Sequence, residues 1–183
     1  MSSSSVASYT RIAISLHWLM ALAIIGAFCV GLYMVDLPFS PQKLQIYSWH
    51  KWAGVSIFAL ALIRIVWRLT HRPPEPPDHM PRWQRAVAEV THNLLYVLML
   101  AIPFSGWLMS SAKGVPTVWF GVLPLPDLLV RDVELGKQLA SVHAALNYTL
   151  AALVLAHVGA ALKHHLIERD TVLVRMLPLL RQR

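Results

Sequence analysis

The sequence predicts an all-α membrane protein, a bundle of four transmembrane helices, and three observations support this prediction. The 183 residues are 56% hydrophobic and only 14% charged, and the mean hydropathy is +0.53. A soluble domain carries about 25% charged residues, so a cytosolic or secreted globule is disfavoured. The charges lie between long apolar runs, each close to the roughly 20 residues that cross a bilayer.

The four predicted helices cover residues 12–35, 46–69, 90–112 and 138–162. The first, third and fourth contain no Asp, Glu, Lys or Arg. The second carries Lys51 near its start and Arg64 and Arg68 near its end. Charges at the ends of a span are compatible with a membrane helix, because long basic side chains reach the interface.

The N-terminal residues 1–8 form a Ser-rich segment, which we expect to be a mobile tail. The first apolar run is too long for the hydrophobic part of a signal peptide, and no basic residue precedes Arg11. We therefore expect a retained first helix and one membrane domain over residues 1–183. The single cysteine, Cys29, excludes a disulfide framework and a thiolate metal site.

Lys and Arg are unevenly distributed between the two sides of the predicted bundle. With the N-terminus inside, eleven lie on the cytoplasmic side and five outside, the latter being Lys43, Lys51, Lys113, Arg131 and Lys137. Because cytoplasmic loops carry an excess of Lys and Arg, we expect both termini in the cytoplasm. This bias explains most of the +7 net charge, so a nucleic-acid partner is not expected.

Four histidines lie inside the predicted spans at matched depths. His17 lies five residues into the first span and His157 five residues before the end of the fourth, both on the cytoplasmic side. His50 and His143 lie similarly close to the outer side. Ionisable side chains inside a bilayer are costly, so two depth-matched pairs indicate a function.

Two spacings of 14 residues align these groups. Because 14 residues are about four helical turns and about 21 Å, His143 and His157 share one face, with room for two stacked planar cofactors. Arg64 follows His50 by the same interval, and we expect it to neutralise a cofactor propionate. Gly54, one turn beyond His50, is expected to let a planar ring pack closely.

Two haems with bis-imidazole ligation fit this arrangement. Zinc or copper requires three or four ligands at one depth, whereas each depth here offers two histidines and no acid. Two axial imidazoles fill the coordination sphere of haem iron, which then transfers electrons and does not bind oxygen. The alternatives are histidines that only make interhelical hydrogen bonds, and a colourless, haem-free channel or metal transporter.

The remaining histidines admit several roles. His92, shallow on the third helix, could replace either cytoplasmic-side ligand, or serve a quinone or proton path. His164 and His165 follow the fourth span among lipid headgroups, where they are either cationic caps or a contact for a quinone head group. His71 and His79 lie in a Pro-rich loop and are expected to be solvated.

Seven segments form an ordered set of motifs along the chain: RIAISLHW at 11–18, H-x-x-x-G at 50–54, RIVWRL at 64–69, THNLLY at 91–96, VHAALNY at 142–148, LAHVGAALKHH at 155–165 and RDTVLVRMLP at 169–178. In these segments, and over essentially its whole length, the chain resembles the bacterial cytochrome b561 family of short four-helix dihaem proteins. The resemblance implies two haem b groups stacked across the membrane. His17 and His157 would hold one haem, and His50 and His143 the other, as the depths indicate.

The resemblance further implies electron transfer to quinone in a bacterial inner membrane. The chain looks most similar to a superoxide oxidase, in which superoxide gives up an electron on the periplasmic side and ubiquinone is reduced. Lys51 and Lys113 are then the candidates for attracting superoxide, although each could be an ordinary headgroup contact. The candidates for contacting the quinone are His164, His92 and Arg68.

The alternative function is an anchor and electron-transfer subunit. Similar four-helix dihaem cytochromes serve hydrogenases and formate dehydrogenases. Such a subunit needs a docking surface for a periplasmic redox partner, and the outer loop 113–137 is the candidate.

Overall fold

The chain folds into long helices, seen in a computed structural model that describes residues 8–77 and 79–180. Over these residues there are four helices long and apolar enough to cross a membrane: α1 (Arg11–Val35), α2 (Pro41–Thr70), α3 (Arg82–Ala112) and α4 (Val133–Lys163). Many of their large apolar side chains are exposed, as expected for helices that face lipid. The predicted class, mostly helical with four membrane-length helices, is confirmed. The expected mobile tail lies, up to residue 7, outside the described residues.

Three of the helices begin several residues before the predicted spans. The Ser40 side chain caps α2, whose first residue is Pro41, and the Asp132 carboxylate caps α4. α3 begins directly after Pro81. The predicted spans followed the long apolar runs, whereas capping side chains and prolines determine where a helix starts.

The helices pack in chain order, α1 on α2, α2 on α3 and α3 on α4. Over the described residues, α4 packs along its length against α3 but has no comparable packing against α1 or α2. Leu98 and Ile102 of α3 and Leu150 of α4 form a buried apolar cluster, against which Ile24 of α1 packs.

A short β-hairpin covers one end of the bundle, which we call the hairpin end. Its strands β1 (Val118–Trp119) and β2 (Leu123–Pro124) are antiparallel. The Trp52 indole of α2 donates a 2.7 Å hydrogen bond to the backbone of β1, and the Trp119 indole donates to a serine of α2. Lys51 donates to two carbonyls of the loop before β1. These bonds attach the hairpin to α2.

The opposite end, which we call the terminal end, holds both ends of the described chain. After α4 the helix continues as one π-helical turn (His164–Glu168), and Arg169 then adopts a left-handed conformation with φ 53°. The chain turns back into α5 (Val172–Met176) and a 3₁₀ turn (Pro178–Leu180). The Trp18 indole of α1 donates a 2.8 Å hydrogen bond to the last residue of α5, which attaches this segment to the bundle.

Candidate functional site

The predicted outer pair, His50 of α2 and His143 of α4, meets toward the hairpin end. Their ring centroids are 6.4 Å apart and the ring planes are 84° from parallel. Two imidazoles on opposite sides of one metal ion, each bonded at about 2.0–2.1 Å, place their ring centroids about 6 Å apart. The observed separation therefore fits two imidazoles that bind one ion from opposite sides.

The tautomer of His143 is determined by α3. The Ser105 hydroxyl donates to the Ile102 carbonyl at 2.7 Å, so toward His143 it acts as an acceptor. Nδ1 of His143 lies 2.9 Å from that hydroxyl and 3.1 Å from the same carbonyl, and it must therefore carry the proton. The lone pair of Nε2 is left available for a metal, which is the arrangement that ligating histidines usually have.

Two glycines make room for the outer pair. A Cβ added to Gly31 of α1 would lie 3.2 Å from Cε1 of His50, and one added to Gly106 of α3 would lie 3.1 Å from Cε1 of His143. Both contacts are tighter than ordinary van der Waals distance. The absence of a side chain at these positions lets each imidazole lie directly against a neighbouring helix.

The Nδ1 atom of His50 is buried and has no hydrogen bond of normal geometry among the described residues. The backbone of Ala27 in α1 nevertheless lies close enough to interact with this imidazole. A buried imidazole N–H without a full partner is costly. A small shift that brings Nδ1–H onto the Ala27 carbonyl would orient Nε2 as in His143.

The predicted inner pair, His17 of α1 and His157 of α4, meets toward the terminal end. The ring centroids are 6.3 Å apart, again the separation of a bis-imidazole site. His92 lies 5.2 Å from His157, about 1 Å too close for two imidazoles on opposite sides of one ion. This geometry favours His17 over His92 as the partner of His157.

Arg64 contacts the inner pair directly. Its Nη2 lies 3.0 Å from Nδ1 of His17, and its Nε donates a 3.2 Å hydrogen bond to the Tyr96 hydroxyl. A guanidinium has no acceptor, so Nδ1 of His17 accepts this hydrogen bond and Nε2 carries the proton of the neutral ring. Ligation through Nε2 therefore requires Arg64 to release Nδ1, and a carboxylate is the acceptor that a guanidinium prefers.

The donor chemistry of both pairs fits a haem iron. Within residues 8–77 and 79–180, neither pair belongs to a group of three or more His, Cys, Asp or Glu close enough to hold one metal ion. Such a third or fourth ligand is what structural zinc requires. Each site thus offers two imidazoles. At the outer pair the fit requires only a small shift of His50, and at the inner pair it depends on the movement of Arg64.

A cleft of about 320 Å³ opens between α3 and α4 at the terminal end, and we call it the α3–α4 cleft. Its lining includes Trp83 and three histidines, His92, His157 and His164. Two residues that the sequence suggested for quinone contact therefore share one cleft with a predicted haem ligand. The third, Arg68, lines a smaller cleft of about 70 Å³ beside Arg64 and Tyr96.

The other predicted site residues lie toward the hairpin end. Lys51 bonds the loop carbonyls described above, and the carboxylate of Asp127 is near enough to interact with its charge. Lys113 is exposed and interacts electrostatically with His143. A Cβ added to Gly54 would meet nothing within 4 Å, so this glycine borders open space. Of the two lysines, Lys113 is therefore the freer to attract an anion.

Sequence reasoning missed Ser105, Gly31 and Gly106. The sequence could have pointed to the two glycines, because their positions along α1 and α3 correspond to depths similar to those of His50 and His143. Nothing in the sequence pointed to Ser105, since a serine inside a helix usually bonds its own backbone. Its role depends on the rotation of α3 relative to α4.

Comparison with known proteins identifies a matching family and several similar proteins. Residues 8–179 match the family model described as prokaryotic cytochrome b561. Cytochrome b561 homolog 2 of Escherichia coli (strain K12) is 34% identical over 92% of this chain and 90% of its own length, and homolog 1 is 28% identical over 93% and 97%. A protein named probable superoxide oxidase CybB from Yersinia pestis is 29% identical over 93% of this chain and 96% of its own length.

Proposed function

The chain belongs to the prokaryotic cytochrome b561 family of membrane proteins that transfer electrons through b-type haem, and from this membership we propose that it is a dihaem superoxide:ubiquinone oxidoreductase. In this proposal superoxide is oxidised at the hairpin end and ubiquinone is reduced at the terminal end. Two superoxide anions give two molecules of oxygen and two electrons. Ubiquinone takes up these electrons with two protons to form ubiquinol.

The proposal rests mainly on two pairs of histidines that lie toward opposite ends of the bundle. The ring centroids are 6.4 Å apart in the outer pair and 6.3 Å apart in the inner pair. His50 with His143 and His17 with His157 would hold one haem b each. A haem iron with two axial imidazoles exchanges single electrons and has no open position for oxygen. The apolar layer around Leu98 and Leu150 lies between the two sites and keeps water out of the path.

The hairpin end supports the choice of a small anionic donor. The hairpin is attached to α2 by Trp52 and Lys51, so it covers this end of the bundle. A small anion can approach the haem edge beside such a cover more easily than a protein partner can. The exposed Lys113, close enough to affect His143 electrostatically, would raise the local concentration of anions. The relative named probable superoxide oxidase supports the same donor.

The terminal end supports quinone as the acceptor. The α3–α4 cleft is lined mainly by apolar side chains and reaches His157, the predicted haem ligand. A lipid-soluble quinone could enter it without leaving the bilayer. His92 and His164 in the lining can donate hydrogen bonds to quinone oxygens. The excess of Lys and Arg in the terminal-end segments supports a cytoplasmic position for this end, with the protein in a bacterial inner membrane.

A rapid-mixing experiment tests the proposal. Oxidised, detergent-purified protein is exposed to a pulse of superoxide, and the haem absorption bands are followed with and without ubiquinone. We expect fast haem reduction by superoxide, followed by reoxidation when ubiquinone is present. Haems that respond to dithionite but not to superoxide would contradict the proposed donor and favour an anchor subunit served by a protein partner. A colourless preparation would contradict both functions.

A further inference from the structure

A cluster of three ionisable side chains lies just beyond α4 at the terminal end. Nδ1 of His164 is 2.6 Å from a carboxylate oxygen of Glu168 and 2.6 Å from one of Asp170. The Asp170 side chain is only 3% exposed and the His164 side chain 13%. Neither haem ligation nor quinone contact requires a carboxylate to be buried against this histidine.

The local backbone explains how the cluster forms. The π-helical turn brings Glu168 onto the ring of His164, and the left-handed Arg169 reverses the chain so that Asp170 reaches the same nitrogen. Asp170 is held there because its other oxygen accepts a 2.9 Å hydrogen bond from the backbone of Val172 at the start of α5. π-turns within α-helices occur frequently at functional sites.

The short distances identify the cluster as a hydrogen-bonded one. Two ligands of one tetrahedral zinc ion, each bonded at about 2.0–2.1 Å, lie about 3.3 Å apart. The Nδ1 atom of His164 lies much closer than this to both carboxylates. Nδ1 therefore carries a proton that the carboxylates accept, and His164 is also one of the residues that line the α3–α4 cleft.

The cluster also connects to water. Nε2 of His79 lies 3.8 Å from the Asp170 carboxylate oxygen that contacts His164, and the His79 side chain is 64% exposed. Ionisable groups thus run in sequence from an exposed histidine to a buried carboxylate and then to an imidazole on the cleft wall. The side chains of Lys163 and Gln84 both contact Glu168.

We propose that His79, Asp170 and His164 form the proton relay that supplies quinone reduction in the α3–α4 cleft. This inference rests on the proposed function. The doubly protonated His164 donates the proton on Nε2 to a carbonyl oxygen of ubiquinone, as that carbonyl receives electrons from the inner haem. The ring that remains is neutral and keeps its proton on Nδ1, so the second proton of ubiquinol requires the imidazole to turn its bare nitrogen toward Asp170 and take up a proton there, which Asp170 receives from His79 or water. His164 touches the substrate, and Asp170 acts through it.

Comparing two oxidants isolates the proton step. The full-length, haem-loaded protein is reduced with dithionite, freed of excess reductant and mixed rapidly with a short-chain ubiquinone or with ferricyanide, which accepts an electron without a proton. The variants are Asp170→Asn, whose amide oxygen can still cap α5, and His164→Gln. Ile167→Ala, on the same π-turn but exposed and outside the cluster, is the matched control.

We expect Asp170→Asn and His164→Gln to slow reoxidation by ubiquinone roughly 100-fold, the usual contribution of a general acid, and to leave reoxidation by ferricyanide unchanged. In the wild type, only the ubiquinone reaction should slow in heavy water. Added imidazole should restore the ubiquinone reaction of His164→Ala. Ubiquinone binding by Asp170→Asn, followed by tryptophan quenching, should be unchanged, because Asp170 does not line the cleft.

Two outcomes would overturn the relay. One is reoxidation of both variants by ubiquinone at the wild-type rate, and the other is an equal slowing with both oxidants, which would indicate damage to electron transfer itself. If ferricyanide reoxidises the wild-type protein but ubiquinone does not, the proposed function is overturned, and the relay with it.

Discussion

The Ser105 hydroxyl lies 2.9 Å from Nδ1 of His143, and because it donates its own proton to the Ile102 carbonyl, it holds the imidazole in the tautomer that presents Nε2. This contact joins α3 to α4 at the depth of the outer pair. It also makes α3, which supplies none of the four predicted ligands, part of the outer site.

Ser105→Ala should loosen the outer haem. The Ile102 carbonyl remains as an acceptor, so we expect a loss of affinity near 10-fold, the lower end of the usual range for partners of ligating histidines. The rate of haem loss to a scavenger protein measures it. Thr149→Ala is the control, since Thr149 bonds only the backbone of α4 and its residue is exposed. Equal loosening in both variants would contradict the role of Ser105.

Single ligand substitutions should each remove one haem. His143→Ala is expected to lose the outer haem and His157→Ala the inner one, each retaining about one haem per chain, because the paired imidazole alone leaves one axial position open. Haem-to-protein ratios and low-temperature spectra measure this. His92→Ala should keep both haems, given its 5.2 Å ring separation from His157. Loss of a haem in His92→Ala would contradict the ligand assignment.

Gly106→Ala should disturb the outer site. The added Cβ would lie 3.1 Å from the His143 ring, and overpacking of this kind typically costs about 1–3 kcal/mol. That cost offsets the gain of about 1 kcal/mol that alanine brings to a helix. Gly26→Ala, whose Cβ meets nothing within 4 Å, should keep the gain. Thermal unfolding and haem content distinguish the two, and equal behaviour of both variants would contradict the role of Gly106.

Lys113→Gln should slow haem reduction by superoxide by roughly two- to five-fold at low salt, because one positive charge near the outer site is lost. The difference from wild type should shrink as ionic strength rises. Lys137→Gln is the control, since Lys137 is paired with Glu134 at 3.1 Å. A rate that responds equally to both substitutions would indicate a general surface-charge effect.

Sequence reasoning predicted the four membrane-length helices, because long apolar runs can be recognised along the chain. The histidine ligand pairs stay a prediction, although their depths come from the same residue positions. The depth of His17 and His157 follows from counting residues, and the structure brings these rings to 6.3 Å. The contact of Arg64 with His17 did not follow, since it depends on which side-chain conformation the long arginine adopts. The role of Arg64 at a haem propionate stays a prediction.

The cluster of His164 with Asp170 lay beyond sequence reasoning for a different reason. A regular helix places residues three or four apart on one face, which does not bring position 170 to position 164. Only the π-turn and the left-handed Arg169 do so. The helices α2 and α4 begin before the predicted spans because Ser40 and Asp132 act as caps outside the apolar runs.

The sparse packing of α4 against α1 and α2 has a consequence for biogenesis. The fourth helix is held along its length by α3, while its histidines reach across to α1 and α2. We therefore expect the chain to insert into the bilayer before haem binding draws α4 toward α1 and α2. In cells starved of haem, we expect membrane proteases to degrade the newly inserted chain. The abundance of the protein should then rise and fall with the concentration of available haem.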